Sequence, residues 1–383
     1  VVDRPIYLDY NATTPIAPEV LDAMLPFLKE HFGNPSSSHA YGIVAHEAVE
    51  RARSQVAALI GCRPEEIVFT GAGSEANNLA IKGVAFARRA LGDHLITSAV
   101  EHPAALNACR YLAERFGYRM TVVSVDGQGL VDPDDVARAI EPGTVLITIM
   151  HANNEVGTIQ PVAEIANLAR RHGVIFHTDA AQSVGKLPAD IDDLGVDLLT
   201  IVGHKLYAPK GVGALYVRTG TALDSLVHGA GHESGRRAGT ENVPYMVALG
   251  AACSLAGDRL ASGGAERVRA LRDRLHELLS ENVPGLALNG HPKHRLPNTL
   301  NVSFPGLDGE ELLARTPGVA ASTGSACHAG RTEPSGVLTA MDIDRERAIG
   351  AVRLSLGHPT TAEEIDDAAA ALIESARLAV VSR

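Results

Sequence analysis

The sequence predicts an α/β fold, a large domain built on a mostly parallel seven-stranded sheet joined to a smaller α+β domain. Three observations carry that expectation. From residue 94 short apolar runs alternate with stretches of helical period. An earlier run at 66–70 opens into the glycine-rich turn G-A-G-S, and a later one, 196–202, stops at Gly203 just ahead of His204 and Lys205. Such alternation buries a parallel sheet under helices on both faces and gathers the loops at the strand C-terminal ends around one site.

Composition limits the function classes first. The 383 residues exceed one ordinary domain and suit a large one with a smaller partner. A formal charge of −11 gives no basic surface for direct nucleic-acid or membrane binding. Cys62, Cys109, Cys253 and Cys327 lie far apart, without a C-x-x-C pair or a zinc-finger cluster, so no metal is expected. A reducing cytoplasm is the simplest compartment for them. No run of about 18 apolar residues marks a membrane span, and residues 1–11 hold no apolar core of signal length.

In chain order, 5–15 hold a short extended piece, 18–30 a helix, and 33–37 the loop G-N-P-S-S; 45–60 form an amphipathic helix closed by Gly61. The strand at 66–70 delivers G-A-G-S-E-A-N-N to a helix at 75–91. Its helix-start amides and the Ser74 hydroxyl are equally suited to a phosphate cradle or to an ordinary turn. Strands follow at 94–98, 119–125, 144–150, 174–178, 196–202 and 213–217, with helices at 104–116, 133–140 and 162–172. From about residue 257 the pattern changes to a helix at 266–279, strands at 299–304 and 351–356, and a final helix at 361–380. The large domain is placed at 16–255. The small one takes 1–15 and 256–383, with a cysteine-bearing loop at about 320–332.

Polar clusters fall at the expected strand ends: Glu101 and His102, Asn153 to Glu155, Asp179 and Gln182, then His204 and Lys205. A lysine fixed where a buried strand stops is partly desolvated, so its amine is easier to keep neutral and nucleophilic, as imine chemistry requires. Asp179, 26 residues before it, suits a structural ion pair or the protonated nitrogen of a pyridinium ring. His102 suits a core imidazole or a ring-stacking proton carrier. Cys327 lies among small residues beside His328, a setting for an accessible thiolate.

In this order, G-N-P-S-S, T-G-A-G-S-E-A-N-N, E-H, A-N-N-E-V-G, H-T-D-A-A-Q-S, G-H-K-L-Y-A-P-K-G, R-A-G-T-E-N and S-T-G-S-A-C-H-A-G run along the whole chain. The set resembles the NifS/IscS-like cysteine desulfurases, pyridoxal-phosphate enzymes of fold type I. The resemblance implies conversion of L-cysteine to L-alanine, leaving a persulfide on Cys327. It implies that Lys205 forms the imine to the cofactor and later acts as acid and base. Asp179 pairs with the ring nitrogen, Gln182 and Asn154 approach the ring hydroxyl, and His102 stacks on the ring and moves protons. Gly73, Ser74 and His204 hold the phosphate, and Thr240 reaches the phosphate of a second subunit in a homodimer. Arg353, with Asn154 nearby, binds the substrate carboxylate. The sulfur passes to an acceptor protein, for iron–sulfur assembly, tRNA thiolation, cofactor synthesis or DNA phosphorothioation.

Two departures stand out. Val202 occupies a place where relatives commonly carry a phosphate-binding serine, and His358 one where a second arginine is common. Selenocysteine lyase and an aminotransferase-like pyridoxal-phosphate enzyme are the rival expectations.

Overall fold

The computed structural model describes residues 4–324, 326–328 and 331–381, with side chains for 4–324 and 333–379. The fourteen strands among them are β1 (Ile6–Tyr7), β2 (Ile67–Thr70), β3 (His94–Ser98), β4 (Arg119–Val123), β5 (Thr144–Thr148), β6 (Ile175–Asp179), β7 (Leu198–Val202), β8 (Gly213–Val217), β9 (Ala287–Asn289), β10 (Thr299–Ser303), β11 (Val319–Ala320), β12 (Ala326–His328), β13 (Arg331–Glu333) and β14 (Ala351–Ser355).

Strands β2 to β8 form one seven-stranded sheet in the order β2-β8-β7-β6-β5-β3-β4. Only β8 runs against its neighbours β2 and β7, and every other pairing is parallel. The expected sheet therefore forms, with strand ends shifted by at most two residues. Because successive strand side chains point to opposite faces, neighbours in sequence enter different cores. Val68, Leu95, Leu146, Leu198 and Leu215 pack on one face beneath the helices Gly73–Ala87 and Pro103–Phe116. Phe69, Ile96, Ile147, Phe176 and Leu199 pack on the other, against residues of the helices Ala40–Ile60, Val162–His172 and Val243–Ala261.

A separate apolar core lies around the antiparallel sheet β14-β10-β9, between the helices Gly264–Asn282 and Ala362–Val381. The N-terminal segment joins this core: Leu8 is fully buried within it, β1 pairs parallel with β11, and Asp9 bridges to Ser355.

Among the longer helices, two depart most from expectation. The first of them begins at Ala40 rather than 45, because His39 caps it, its Nδ1 accepting from Gly42 N at 3.3 Å. Gly42 is there for close approach rather than as a breaker; an added Cβ would lie 2.1 Å from the Ser37 carbonyl oxygen. The helix Val243–Ala261 had no sequence assignment. It packs extensively on Ala40–Ile60, and Met246, Ala248, Leu249, Ala252 and Cys253 are buried, so it lacks the polar face that announces a surface helix.

Gly250 lets these two helices close, since a Cβ there would meet Ala52 Cα at 2.6 Å and Ala52 Cβ at 2.8 Å. Gly250→Val is expected to lower the unfolding free energy by about 1–3 kcal/mol through overpacking. Denaturant titration checks this; an unchanged midpoint would mean the helices separate without cost.

Candidate active site

The cleft is assembled at the C-terminal ends of β5, β6 and β7. Strand β7 is buried along its length and stops at Gly203, where a side chain would strike Val212, leaving 2.8 Å to its Cγ1. A single tight turn, Gly203–Lys205, then aims Lys205 into the cleft. Tyr207 follows with φ 67°, a left-handed conformation that costs about 1–2 kcal/mol for a non-glycine residue. It is held by Tyr207 N donating to Thr14 Oγ1 at 3.0 Å and by its hydroxyl accepting from His358 N at 2.7 Å.

Lys205 Nζ donates to the backbone carbonyls of Asn11 and Ala12, the latter at 2.6 Å. Burial, then the positive charge of Arg353, pushes its amine down to about 8 against the opposing carboxylates of Asp9 and Asp179. His204 is lowered further, to about 4, by burial and by Lys205 and Lys210, so its ring is neutral at physiological pH. Its Nδ1 shares a 3.2 Å hydrogen bond with Thr13 Oγ1.

Asp179 is the last residue of β6. Its Oδ2 accepts from Asn77 Nδ2 at 2.6 Å and its Oδ1 from Ala181 N at 2.9 Å. No ion pair with Lys205 forms, so the simple structural-pair alternative for Asp179 is not what the geometry holds. His102 caps the helix Pro103–Phe116, its Nδ1 accepting from Ala104 N at 3.1 Å. Desolvation lowers its pKa against the pull of Asp179, leaving the neutral imidazole at the cleft wall.

Gly73 and Ser74 open the helix Gly73–Ala87, whose start carries no side-chain cap. Its first N–H groups therefore face the cleft as anion donors. Arg353, from β14, pairs through Nη2 with Asp9 at 2.8 Å and donates through Nη1 to Asn154 O at 3.1 Å. Its Nε is buried with no partner.

These side chains surround one cavity of about 420 Å³, lined by His102, Asn154, Asp179, Gln182, Lys205 and Arg353 as well as the glycine-rich turn. Val202 and His204 also line it. Thr240 is exposed and outside that lining. Cys327 lies on β12, paired with Thr332 of β13, and its side chain is outside the described residues.

Three residues named at the strand ends do not reach the cavity. Glu101 is fully buried and pushed up to about 8, taking hydrogen bonds from Ser98 Oγ at 2.6 Å and Met150 N at 2.9 Å. Asn153 closes its own turn by accepting from Glu155 N and Val156 N, and Glu155 is bonded by the Ser335 hydroxyl. They brace the loop, since at a strand end alternate residues must turn into the protein. Sequence reasoning also passed over Asn11 and Asn77, both 1% exposed and both lining the cavity. Asn77 could have been found as the helix residue one turn after the glycine-rich start; nothing local marks Asn11.

A desolvated lysine at a strand end, a carboxylate one strand away and an uncapped helix start define the class of pyridoxal-phosphate enzymes with this sheet. The fit is supported from within the structure: Asn77 Oδ1 is buried without a partner beside Asp179, and a Cβ on Gly73 would fall 2.3 Å from Val202 Cγ2, so the turn is open only because it is glycine. The pattern of the aminotransferase class-V family matches residues 6–367. The cysteine desulfurase IscS of Dictyoglomus turgidum is 48% identical over 365 residues, 95% of this chain and 92% of that protein. A solved NifS-like protein superposes with a TM-score of 0.90 at 36% identity, covering 97% of this chain and 99% of that one. SspA in complex with cysteine superposes at 0.80 with 40% identity over 91% and 98% of the two chains. The chain belongs to the aminotransferase class-V family, whose members use pyridoxal phosphate.

In cofactor-free protein, Lys205 is expected to react with trinitrobenzenesulfonate with a midpoint near pH 8, against 10.5 for an ordinary lysine. Peptide mass spectrometry across a pH series reads this; a midpoint near 10.5 would mean the amine is solvated.

Proposed function

We propose that this chain is a pyridoxal-phosphate-dependent cysteine desulfurase, converting L-cysteine to L-alanine with a persulfide on Cys327. The observation that carries the proposal is Lys205 itself, an amine with its pKa pulled down to about 8 in a cleft it shares with Asp179 and Arg353, in a chain so similar to cysteine desulfurases. When bound, pyridoxal phosphate supplies a ring that withdraws electrons from the α-carbon of an attached amino acid.

The residues divide the remaining work. The uncapped amides at Gly73 and Ser74, with His204, hold the phosphate. Asp179 is oriented toward the ring nitrogen by Asn77 and the Ala181 amide, which both donate to it. Asn154 and Gln182 line the hydroxyl side of the ring, and His102 the face. Arg353 offers the L-cysteine carboxylate its unpartnered Nε together with the Nη edge it now uses on Asp9. Lys205 removes the α-proton at Nζ and returns a proton later; an amine that loses and regains one near neutral pH suits both tasks.

Cys327 is the nucleophile. Its thiolate forms an S–S bond to the substrate sulfur as the C–S bond breaks, and the carbon fragment takes up a proton to leave as L-alanine. The outer sulfur then passes to a nucleophile of an acceptor protein as the S–S bond breaks and the Cys327 thiolate is released.

A homodimer completes the site in this reading, because Thr240 is exposed outside its own cavity and suits the phosphate of a second copy. Exposed apolar side chains at Leu21, Leu28, Phe32 and Tyr41 offer a surface for that contact. In this reading the sheet with the cores on its two faces belongs to a cofactor domain at 16–255, and the separate core to a smaller domain of 1–15 and 256–383. A reducing cytoplasm is the compartment proposed for it, since it keeps the Cys327 thiol free of disulfides before each turnover.

Cys327→Ser is expected to abolish persulfide labelling and to cut alanine release from L-cysteine by at least about 100-fold while leaving cofactor absorbance intact. Retained alanine production would point to an aminotransferase-like enzyme, and negligible turnover of L-cysteine beside rapid turnover of L-selenocysteine would point to a selenocysteine lyase.

A further inference from the structure

A second lysine lies half-buried behind the cleft and has no part in the chemistry above. Lys186 follows β6 in the same connection that carries Gln182, and it lines a small cavity of about 60 Å³ behind Lys205 rather than the main one. Among the described residues no carboxylate lies within ion-pair distance of it. Its Nζ has two partners, Gln182 Oε1 at 2.8 Å and Asn11 Oδ1 at 3.3 Å.

Those two acceptors match the two N–H bonds of a neutral amine. Burial, with the charges of Lys205 and Arg353 nearby, also pulls this amine down, to about 7.

The surrounding amides explain why the amine is there. Gln182 Nε2 donates to Asn11 O at 2.9 Å, and Asn11 Nδ2 donates to Asn154 O at 3.1 Å and Thr299 Oγ1 at 2.8 Å. A backbone carbonyl only accepts, so both amide nitrogens are fixed and both amide oxygens are turned toward Lys186. Asn298 Nδ2 also serves Asn11 Oδ1, at 3.0 Å, whereas Gln182 Oε1 has Lys186 alone among its hydrogen-bond donors in the described residues.

We propose that Lys186 is a positioning residue for the cofactor site. Its amine satisfies the buried oxygen of Gln182 and so holds the amide with its nitrogen between the Asn11 carbonyl and the cavity, where the second Nε2–H is available to the ring hydroxyl. The same amine ties this connection to Asn11, whose carbonyl also receives Lys205. The inference rests on the pyridoxal-phosphate reading.

Lys186→Met keeps the bulk and removes the donors. In it Gln182 Oε1, 5% exposed as a residue, loses its donor, and the amide is held only through Nε2 on the Asn11 carbonyl. The test compares wild type, Lys186→Met, Gln182→Leu and the double variant by the visible absorption of bound cofactor, the pH midpoint of that band, and the cofactor dissociation constant from titration of the cofactor-free protein. Both single variants are expected to shift the band midpoint in the same direction and to weaken cofactor binding roughly 10-fold, with the double variant going no further. Lys186→Gln, neutral and shorter, should behave as Lys186→Met and provides the comparison if methionine disturbs folding. A wild-type midpoint and dissociation constant in both lysine variants, or effects that add in the double variant, would overturn the inference. A wild-type protein with no cofactor band would instead defeat the reading it rests on.

Discussion

The structure depends on keeping one amine out of water without giving it a carboxylate to bind. Lys205 meets this condition because β7 is buried to its last residue and a tight turn then directs the side chain into the cleft. Its Nζ is received by main-chain oxygens, which stabilise an ammonium far less than a carboxylate does, so the neutral amine stays within reach near physiological pH. A direct Asp179–Lys205 pair would raise that pKa and remove the nucleophile. Asn77 prevents such a pair by engaging Asp179 at 2.6 Å.

The carbonyls that receive Lys205 come from the N-terminal segment, which is itself pinned elsewhere. Asn11 N donates to Ser355 Oγ at 2.9 Å, its side chain meets Asn298 and Thr299, and Asp9 holds Arg353. One short stretch of chain thus links the sheet that supplies the lysine to the second core that supplies the arginine. A change in Arg353, whose charge helps depress Lys205, would be felt at the amine as well as at the carboxylate it is proposed to bind.

Legibility in the sequence followed the range of the interactions. All seven sheet strands were readable because each is a run of four or five residues rich in apolar and β-branched side chains, and Lys205, Asp179 and His102 could be placed because each lies at or just past the end of such a run. The helix Val243–Ala261 was not readable, since a helix buried on most sides has no period to detect. Glu101 and Asn153 look like site residues in sequence but turn inward, a distinction of one position along the chain. Asn11 and Lys186 were invisible for the opposite reason: they lie 175 residues apart in the chain, and only the closed fold brings amide and amine together.

Val202 brings the same logic to the phosphate end of the cleft. Its isopropyl group sits where a Cβ on Gly73 would need to be, and it lines the cavity. An apolar side chain there donates nothing to an anion, so holding a phosphate falls to the uncapped amides of the helix start, the Ser74 hydroxyl and the His204 ring. Of these, the amides are fixed by the helix and carry its dipole. His204, neutral because burial and then Lys205 and Lys210 oppose its charge, can offer one N–H and no net attraction. Retention of the cofactor in this chain therefore leans on backbone geometry, which makes Gly73, rather than any charged residue, the position where a side chain would do most harm.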